Sequence, residues 1–154
     1  LVRAIVQEQG TALGEEEYLG VPITKGFRLR ELVRELMQAC VSRGIAPYVI
    51  TASPEPLVRA ALRFYRVPAA GCLGINLKEQ DGIFLNRLIE PLPIEEGKIT
   101  CIRKHIHTDT PLLGAGDSMN DYGMLNYASV RVAIDRQNEL TRLARENGWH
   151  ILKA

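Results

Sequence analysis

Between Arg28 and Ser42 the apolar positions Leu29, Leu32, Val33, Leu36, Met37 and Cys40 follow the i, i+3, i+4, i+7 spacing of a helix with one buried stripe. Arg43-Gly44 stops it, glycine being the residue that most readily takes the left-handed cap. The run Tyr48-Val49-Ile50 then passes into Thr51-Ala52-Ser53-Pro54, which predicts a buried strand ending among small hydroxyl residues. Pro54 and Pro56 open the next helix, with Leu57, Ala61, Leu62 and Tyr65 on its apolar face. Helix, strand and helix joined by short links predict a parallel sheet.

Further along, Gly71 to Leu77 reads as another strand, and Asp81-Gly82 is a hairpin signal between Asn76-Leu77-Lys78 and Ile83-Phe84-Leu85. Pro91 and Pro93 form a stiff link, after which Gly97-Lys98 opens a short helix through Ile99, Ile102 and Ile106. Pro111 to Ala115 is a short apolar run bounded by Pro and Gly, the mark of a buried strand, and Met124 and Leu125 begin a helical face beyond it. Ser129 to Ile134 predicts a strand, Leu140, Leu143 and Ala144 a helix, and Trp149 to Leu152 a closing edge strand. The beginning is less regular. Leu1, Val2, Ile5 and Val6 suit the last turns of an amphipathic helix, Gly10, Gly14 and Gly20 interrupt the stretch beyond it, Glu15 to Glu17 look solvated, and Pro22 to Gly26 reads as a connector.

Composition narrows the function classes. The 154 residues suit one domain that buries about two thirds of its unfolded surface. Nineteen basic and eighteen acidic residues nearly cancel, so nothing points to nucleic acid or to a polybasic membrane patch. No apolar run approaches the ~20 residues of a membrane span. Cys40, Cys72 and Cys101 lie far apart in apolar settings and read as buried free thiols, which favours the cytoplasm. The sequence opens at Leu1 without a methionine, so a targeting segment cannot be read from it.

The chemistry gathers in Gly114-Ala115-Gly116-Asp117-Ser118-Met119-Asn120-Asp121. A strand ending at a glycine-rich turn puts Asp117 on the rim where open α/β sheets bind ligands, and Asp121 in the first turn of the next element. A hard cation such as Mg²⁺ takes one or two carboxylates with phosphate oxygens and water, which this pair suits. It also suits a solvated acidic turn with Asn120 and Asp121 as helix caps. Thr51 ends a parallel strand at the same rim, where its hydroxyl and the Ala52 amide suit a phosphate oxygen. An ordinary turn hydroxyl would look the same. Lys98 opens a helix, where its charge opposes the helix dipole, so propensity does not explain it. Aimed inward it would neutralise phosphate or steady a carboxylate; aimed outward it is a solvated lysine. His105 and His107 have no carboxylate motif beside them and read as surface or loop residues.

Thr51, Lys98, Asp117 and Asp121, in that order and each at an element's end, make the chain resemble the haloacid dehalogenase superfamily, most closely its phosphoserine-phosphatase-like branch. The resemblance runs from about Gly26 to Leu152. Tyr48-Val49-Ile50-Thr51-Ala52-Ser53 is similar to the family's second motif, Gly97-Lys98 to its third and Gly116-Asp117-Ser118-Met119-Asn120-Asp121 to its fourth, while Gly148-Trp149-His150-Ile151-Leu152 resembles the branch's closing segment. The resemblance implies an α/β, doubly wound, Rossmann-like parallel sheet over residues 26–154, with residues 1–25 as the remnant of a helical cap and connector. It implies Mg²⁺-dependent hydrolysis of a small phosphorylated metabolite through an aspartyl-phosphate. Asp117 and Asp121 would serve the metal, Asp121 through its waters or through the lysine. Lys98 would stabilise phosphoryl charge, and Thr51, Ala52 and Asn120 would lie at the phosphate.

One departure outweighs the matches. The family's first motif, Asp-x-Asp after a strand, supplies the nucleophile and general acid, and it does not occur in this sequence. Asp81 sits in a hairpin turn, Asp109 precedes its strand, and Asp135 is followed by Arg136 and Gln137. The expectation is a family member whose first-motif strand lies outside these residues and belongs between Tyr48–Thr51 and Pro111–Ala115. A missing amino-terminal segment, Leu1 to Val6 or a second chain would then complete the sheet. The alternative is a non-catalytic protein that keeps the metal and phosphate pocket. Dehalogenation suits the acidic motif less well than phosphoryl transfer does.

Overall fold

The computed structural model describes residues 4, 6–7, 14–26, 28–106 and 110–153. A hairpin of β1 (Gly14–Tyr18) and β2 (Val21–Lys25) comes first, followed by α1 (Glu31–Val41), β3 (Tyr48–Pro54), α2 (Glu55–Phe64) and β4 (Gly71–Ile75). A second hairpin, β5 (Leu77–Gln80) and β6 (Ile83–Leu88), leads to α3 (Gly97–His105) and β7 (Leu113–Gly116). A 3-10 turn (Met119–Asp121) runs into α4 (Tyr122–Tyr127), and β8 (Val130–Ile134), α5 (Glu139–Glu146) and β9 (His150–Leu152) close the chain.

The expected α/β architecture is present, with its parallel strands in two groups. In one, β3 runs parallel to β4, Tyr48 opposite Gly71 and Ile50 opposite Leu73. In the other, β8 lies between β7 and β9, all parallel, with Leu113 opposite Val130 and Val132 opposite His150. No ladder joins β3 to β7; among the described residues each has one strand partner and one open edge.

The two groups are packed to different standards. Leu125, Ala133, Leu140 and Ala144 are fully buried around the β7–β8–β9 sheet, with Trp149 and Ile151 against them. Burying each large apolar side chain is worth about 1.5–3 kcal/mol. Gly114 permits this closeness, since a Cβ there would stand 3.0 Å from that of Ala128. By contrast, neither α1 nor α2 holds a fully buried residue. Between them and β3 runs an apolar groove of about 330 Å³, lined by Val33, Met37, Val49, Leu62 and Tyr65.

Most local signals act where the sequence places them. Gly44 (φ +73°) ends α1, and Asp81 and Gly82 (φ +52° and +77°) form the tight turn of the β5–β6 hairpin. Cys72 and Cys101 are buried free thiols, and Cys40 is a half-buried one. Three expectations need correction. Pro22 to Gly26 is not a connector, because Val21–Lys25 is strand β2, paired with β1 through Val21 opposite Tyr18. The strand expected from Gly71 to Leu77 breaks at Asn76, whose carbonyl bonds the Ile89 amide instead. Leu32, counted on the buried stripe of α1, is exposed. Leu1, Val2, Ile5, Gly10, His107 and Asp109 lie outside the described residues; Ala4, Val6 and Gln7 are helical, and Val6 is buried beside α2. Among the described residues no helix is long and apolar enough to cross a membrane.

At the start of α2 a carboxylate ties helix to sheet. Glu55 accepts bonds from the Gly74 amide (3.0 Å), Asn76 Nδ2 (2.9 Å) and Arg59 Nε (2.6 Å), while Arg59 also donates to the Cys72 carbonyl (2.7 Å). Burial pushes the Glu55 carboxyl up, but the bonds from Gly74, Arg59 and Asn76 outweigh it and hold it below its ordinary value of 4.5. A carboxyl lowered on folding stabilises the fold above its unfolded value and loses that stabilisation as pH falls through the folded value. Glu55→Gln should therefore cost about 1.5–3 kcal/mol at neutral pH. In denaturant titrations across pH, the difference from the parent should shrink below pH 4.5. A difference that stays constant with pH would contradict this account.

Candidate functional site

Strand β7 ends at Gly116, and the chain turns sharply into Asp117-Ser118 and the 3-10 turn. A Cβ on residue 116 would overlap the Asp121 side chain, so glycine is what lets Asp121 fold back beneath the strand end. There Asp121 Oδ2 accepts from the amides of Asp117 (3.0 Å) and Ser118 (3.2 Å) and from the Ser118 hydroxyl (3.4 Å). Ser118 and Asp121 thereby form a capping box. The other oxygen, Oδ1, accepts from Lys98 Nζ.

Lys98 reaches it from the first turn of α3. Gly97 lets the helix begin close to the preceding loop, since a Cβ there would run into the Leu92 carbonyl. Only 5 % of Lys98 and 7 % of Asp121 is exposed, so this ion pair lies in the interior. The lysine points inward, toward the carboxylate turn.

Asp117 has different surroundings. A third of its side chain is exposed, and its Oδ2 accepts from Arg136 Nη1 at 3.0 Å, with Arg30 Nη2 at 3.9 Å. Its carbonyl accepts from Asn138 Nδ2 at 2.8 Å. Asn138 also caps α5, its Oδ1 accepting from the amide (3.1 Å) and hydroxyl (3.2 Å) of the fully buried Thr141.

Thr51 lies in β3 just past Ile50, where the regular register with β4 breaks. Its Oγ1 accepts from the Ser53 amide at 3.1 Å, a local turn bond. Helix α3, which carries Lys98, packs against β3. The structure thus joins Lys98, Asp121 and the Asp117 turn directly. Thr51 and Ala52 stand on the strand beside α3 without a hydrogen bond to them among the described residues, and Asn120 is exposed on the 3-10 turn. His105 is exposed on α3, away from any acidic cluster.

Among the described residues no group of three or more His, Cys, Asp or Glu side chains comes together to hold a metal. Asp121 has both oxygens engaged. Asp117 is the oxygen donor that suits a hard cation, and its carboxylate already draws two guanidinium groups to one point. The donor set therefore fits Mg²⁺ in part: one carboxylate, with further oxygens to come from phosphate, water and other residues. Burial pushes the Cys72 and Cys101 thiols up, so neither has the character of a nucleophile.

Arg30, Arg136, Asn138 and Thr141 did not stand out in the sequence. Asn138 three residues before Thr141 at a helix start is a readable N-cap, and Ser118 three before Asp121 a readable capping box. No local signal links Arg136 to Asp117, nineteen residues away.

The family model for haloacid dehalogenase-like hydrolases matches residues 9–126. Phosphoserine phosphatase SerB1 of Mycobacterium tuberculosis is 34 % identical over 144 residues, covering 91 % of this chain and 45 % of that protein. A Mycobacterium leprae protein named "Putative hydrolase ML2424" is also 34 % identical, over 148 residues, covering 94 % of this chain and 48 % of that one. The chain thus spans about half the length of the curated relatives it matches. Among solved structures, a conserved protein of unknown function from Anaerococcus prevotii superposes with a TM-score of 0.81 at 22 % identity, over 99 % of this chain and 48 % of that one. A phosphoserine phosphohydrolase-like protein from Francisella tularensis gives 0.57 at 17 %, over 80 % and 58 %. These two show likeness of fold.

Removing one partner of a buried ion pair leaves an uncompensated charge, so Lys98→Met should cost about 3–5 kcal/mol in denaturant unfolding. Adding Asp121→Asn should recover part of that loss, because Asn removes the charge yet still accepts from the Asp117 and Ser118 amides. A double variant as unstable as Lys98→Met alone would show that the charge is not what matters.

Proposed function

Because the chain belongs to the haloacid dehalogenase-like hydrolases, we propose that it forms most of the active site of a magnesium-dependent phosphomonoester hydrolase. The observation that carries this reading is the buried Lys98, held by Asp121 directly beneath the Asp117 turn. A lysine with no role in charge handling has no reason to be taken from water at a helix start.

In this reading Asp117 is a ligand of Mg²⁺, and Asp121 holds Lys98 and the backbone of the turn in place. When bound, the metal supplies positive charge that polarises the phosphoryl oxygens. Lys98 donates to the same phosphoryl group as negative charge develops on it, without reorganising, because Asp121 already fixes its direction. Thr51 and the Ala52 amide donate to another phosphate oxygen, and Asn120 borders the pocket. The nucleophile belongs to an Asp-x-Asp strand that is not in this sequence. We place that strand between the open edges of β3 and β7, supplied by a further segment of the protein or by a second chain. Its carboxylate oxygen attacks phosphorus, the ester oxygen leaves as the alcohol, and water then hydrolyses the aspartyl-phosphate. This chain by itself is then inactive. The substrate is a small phosphorylated metabolite; the name of the SerB1 relative makes phosphoserine the first to try. The buried free thiols fit a reducing cytoplasm.

A second reading is a non-catalytic metal- and phosphate-binding protein, which the absence of an Asp-x-Asp from the whole gene product would favour. One experiment separates the two. The whole gene product should hydrolyse an aryl phosphate with Mg²⁺ present, and Asp117→Ala should lower kcat by at least about a hundredfold. Its Tm should stay within about 3 °C of the parent, since the carboxylate lies on a rim and not in the core. Phosphate binding without turnover in the whole product would favour the binder. Full activity in Asp117→Ala would remove the metal assignment.

A further inference from the structure

Strand β3 does not run evenly along β4. Ile50 lies opposite Leu73 and Pro54 opposite Ile75, so β3 takes four residues where β4 takes two. The surplus falls in Thr51-Ala52-Ser53, which leaves the ladder as a bulge. Ala52 and Ser53 are exposed, so little packing holds the bulge in shape. Within it, Thr51 Oγ1 accepts from the Ser53 amide at 3.1 Å. A hydroxyl that accepts from one amide keeps its own proton to donate. The direction of that proton, and of the Ala52 amide, then depends on how the two ends of the bulge are fixed.

The inner end is fixed by the regular ladder from Tyr48 to Ile50. The outer end is fixed by a side chain. Glu55, next after Pro54, turns back onto β4, where its Oε2 accepts from the Gly74 amide (3.0 Å) and from Asn76 Nδ2 (2.9 Å), the residues on either side of Ile75. The approach is close: a Cβ on residue 74 would stand 2.8 Å from the Ser53 carbonyl and 2.7 Å from Glu55 Cα. An acidic residue in the first turn of a helix suits the dipole, which accounts for a carboxylate here but not for its two bonds to β4. The other oxygen, Oε1, accepts from Arg59 within the helix. One oxygen thus serves α2, and the other sets the end of the bulge against the sheet.

We propose that Glu55 is a positioning residue for phosphate binding, fixing the outer end of the bulge so that Thr51 Oγ1 and the Ala52 amide are aimed together. This rests on the reading of those two groups as the phosphate cradle. With both oxygens engaged, Glu55 acts through the bulge and not on the phosphate. Without the Oε2 bonds the exposed bulge takes up other directions, and donors that must be ordered on binding give less affinity than donors already in place.

The test is calorimetric titration of the whole gene product with inorganic phosphate, at a temperature well below the Tm of every variant. Glu55→Ala, which removes both bonds to β4, should bind phosphate about tenfold more weakly than the parent. Glu55→Gln keeps a carbonyl oxygen for Gly74 and Asn76 and should stay within about twofold of the parent, although it is less stable. Asn76→Ala, which takes away one bond to Oε2 and leaves Arg59 in place, should weaken binding about two- to fivefold, and it carries the test if Glu55→Ala does not fold. In a Thr51→Ala background, Glu55→Ala should cost less than it does alone, since it acts through a group already removed. Equal losses in Glu55→Ala and Glu55→Gln, or losses that simply add to that of Thr51→Ala, would mark a general effect of stability and overturn the positioning role. Parental binding in Glu55→Ala and Asn76→Ala, with binding weakened in Thr51→Ala, would also overturn it and leave the phosphate cradle standing. If the parent binds no phosphate, or Thr51→Ala binds it as the parent does, the cradle falls and the positioning role with it.

Discussion

The interior bond between Lys98 and Asp121 is the constraint on which the site's geometry depends. Two charges taken from water lose several kcal/mol of hydration each, and their attraction offsets that loss only with good geometry and every remaining lone pair filled. Here the remaining lone pairs are filled by the amides of Asp117 and Ser118. That demand forces the chain into its tight turn after β7, and the turn in turn excludes a side chain at residue 116. It also brings the first turn of α3 to the end of β7. Because α3 lies against β3, this bond links the two groups of parallel strands that no ladder joins.

The division of the sheet explains the unequal packing. Around β7, β8 and β9 the helices α4 and α5 close over a core whose central side chains are fully buried. Around β3 and β4 the helices leave an apolar groove. An open strand edge presents unpaired N–H and C=O groups, each costing on the order of 1–3 kcal/mol if buried without a partner. The edges of β3 and β7 are thus a place that a further strand would stabilise. The residues carrying the proposed chemistry stand at the register break of β3, in the turn after β7 and on helix α3.

Two aspartates four residues apart have been given opposite environments. Asp121 is buried, with both oxygens engaged by the lysine and the turn. Asp117 is partly exposed, and its partners are guanidinium groups on long, solvated side chains. The first is held still by the lysine and the turn, while the second stands at the rim beside charged side chains. The Asn138–Thr141 pair fixes the Asp117 backbone, and the Asp117 side chain above it is partly exposed.

Much of this was legible in the residues. The 3.6-residue stripe of α1, the glycine after it, the Asp81-Gly82 turn and the apolar runs of β3, β7 and β8 are signals written within a dozen residues, and each acts locally. Lys98 stood out because its position contradicts the helix dipole, and the fold resolves the contradiction with a buried carboxylate. The β1–β2 hairpin was not legible, since its glycines and acidic run look like loop and only pairing makes them strands. The break between β3 and β7 was expected only from the Asp-x-Asp motif that the resembled family has and this sequence lacks, because a strand's own sequence does not say which neighbour it has. The meeting of Arg136 with Asp117 depends on how β8, α5 and the β7 turn are stacked. Local backbone preference and hydrophobic period determine which elements form. Only the packing of distant elements decides which charges share the interior, which share the rim, and which strand edges stay open.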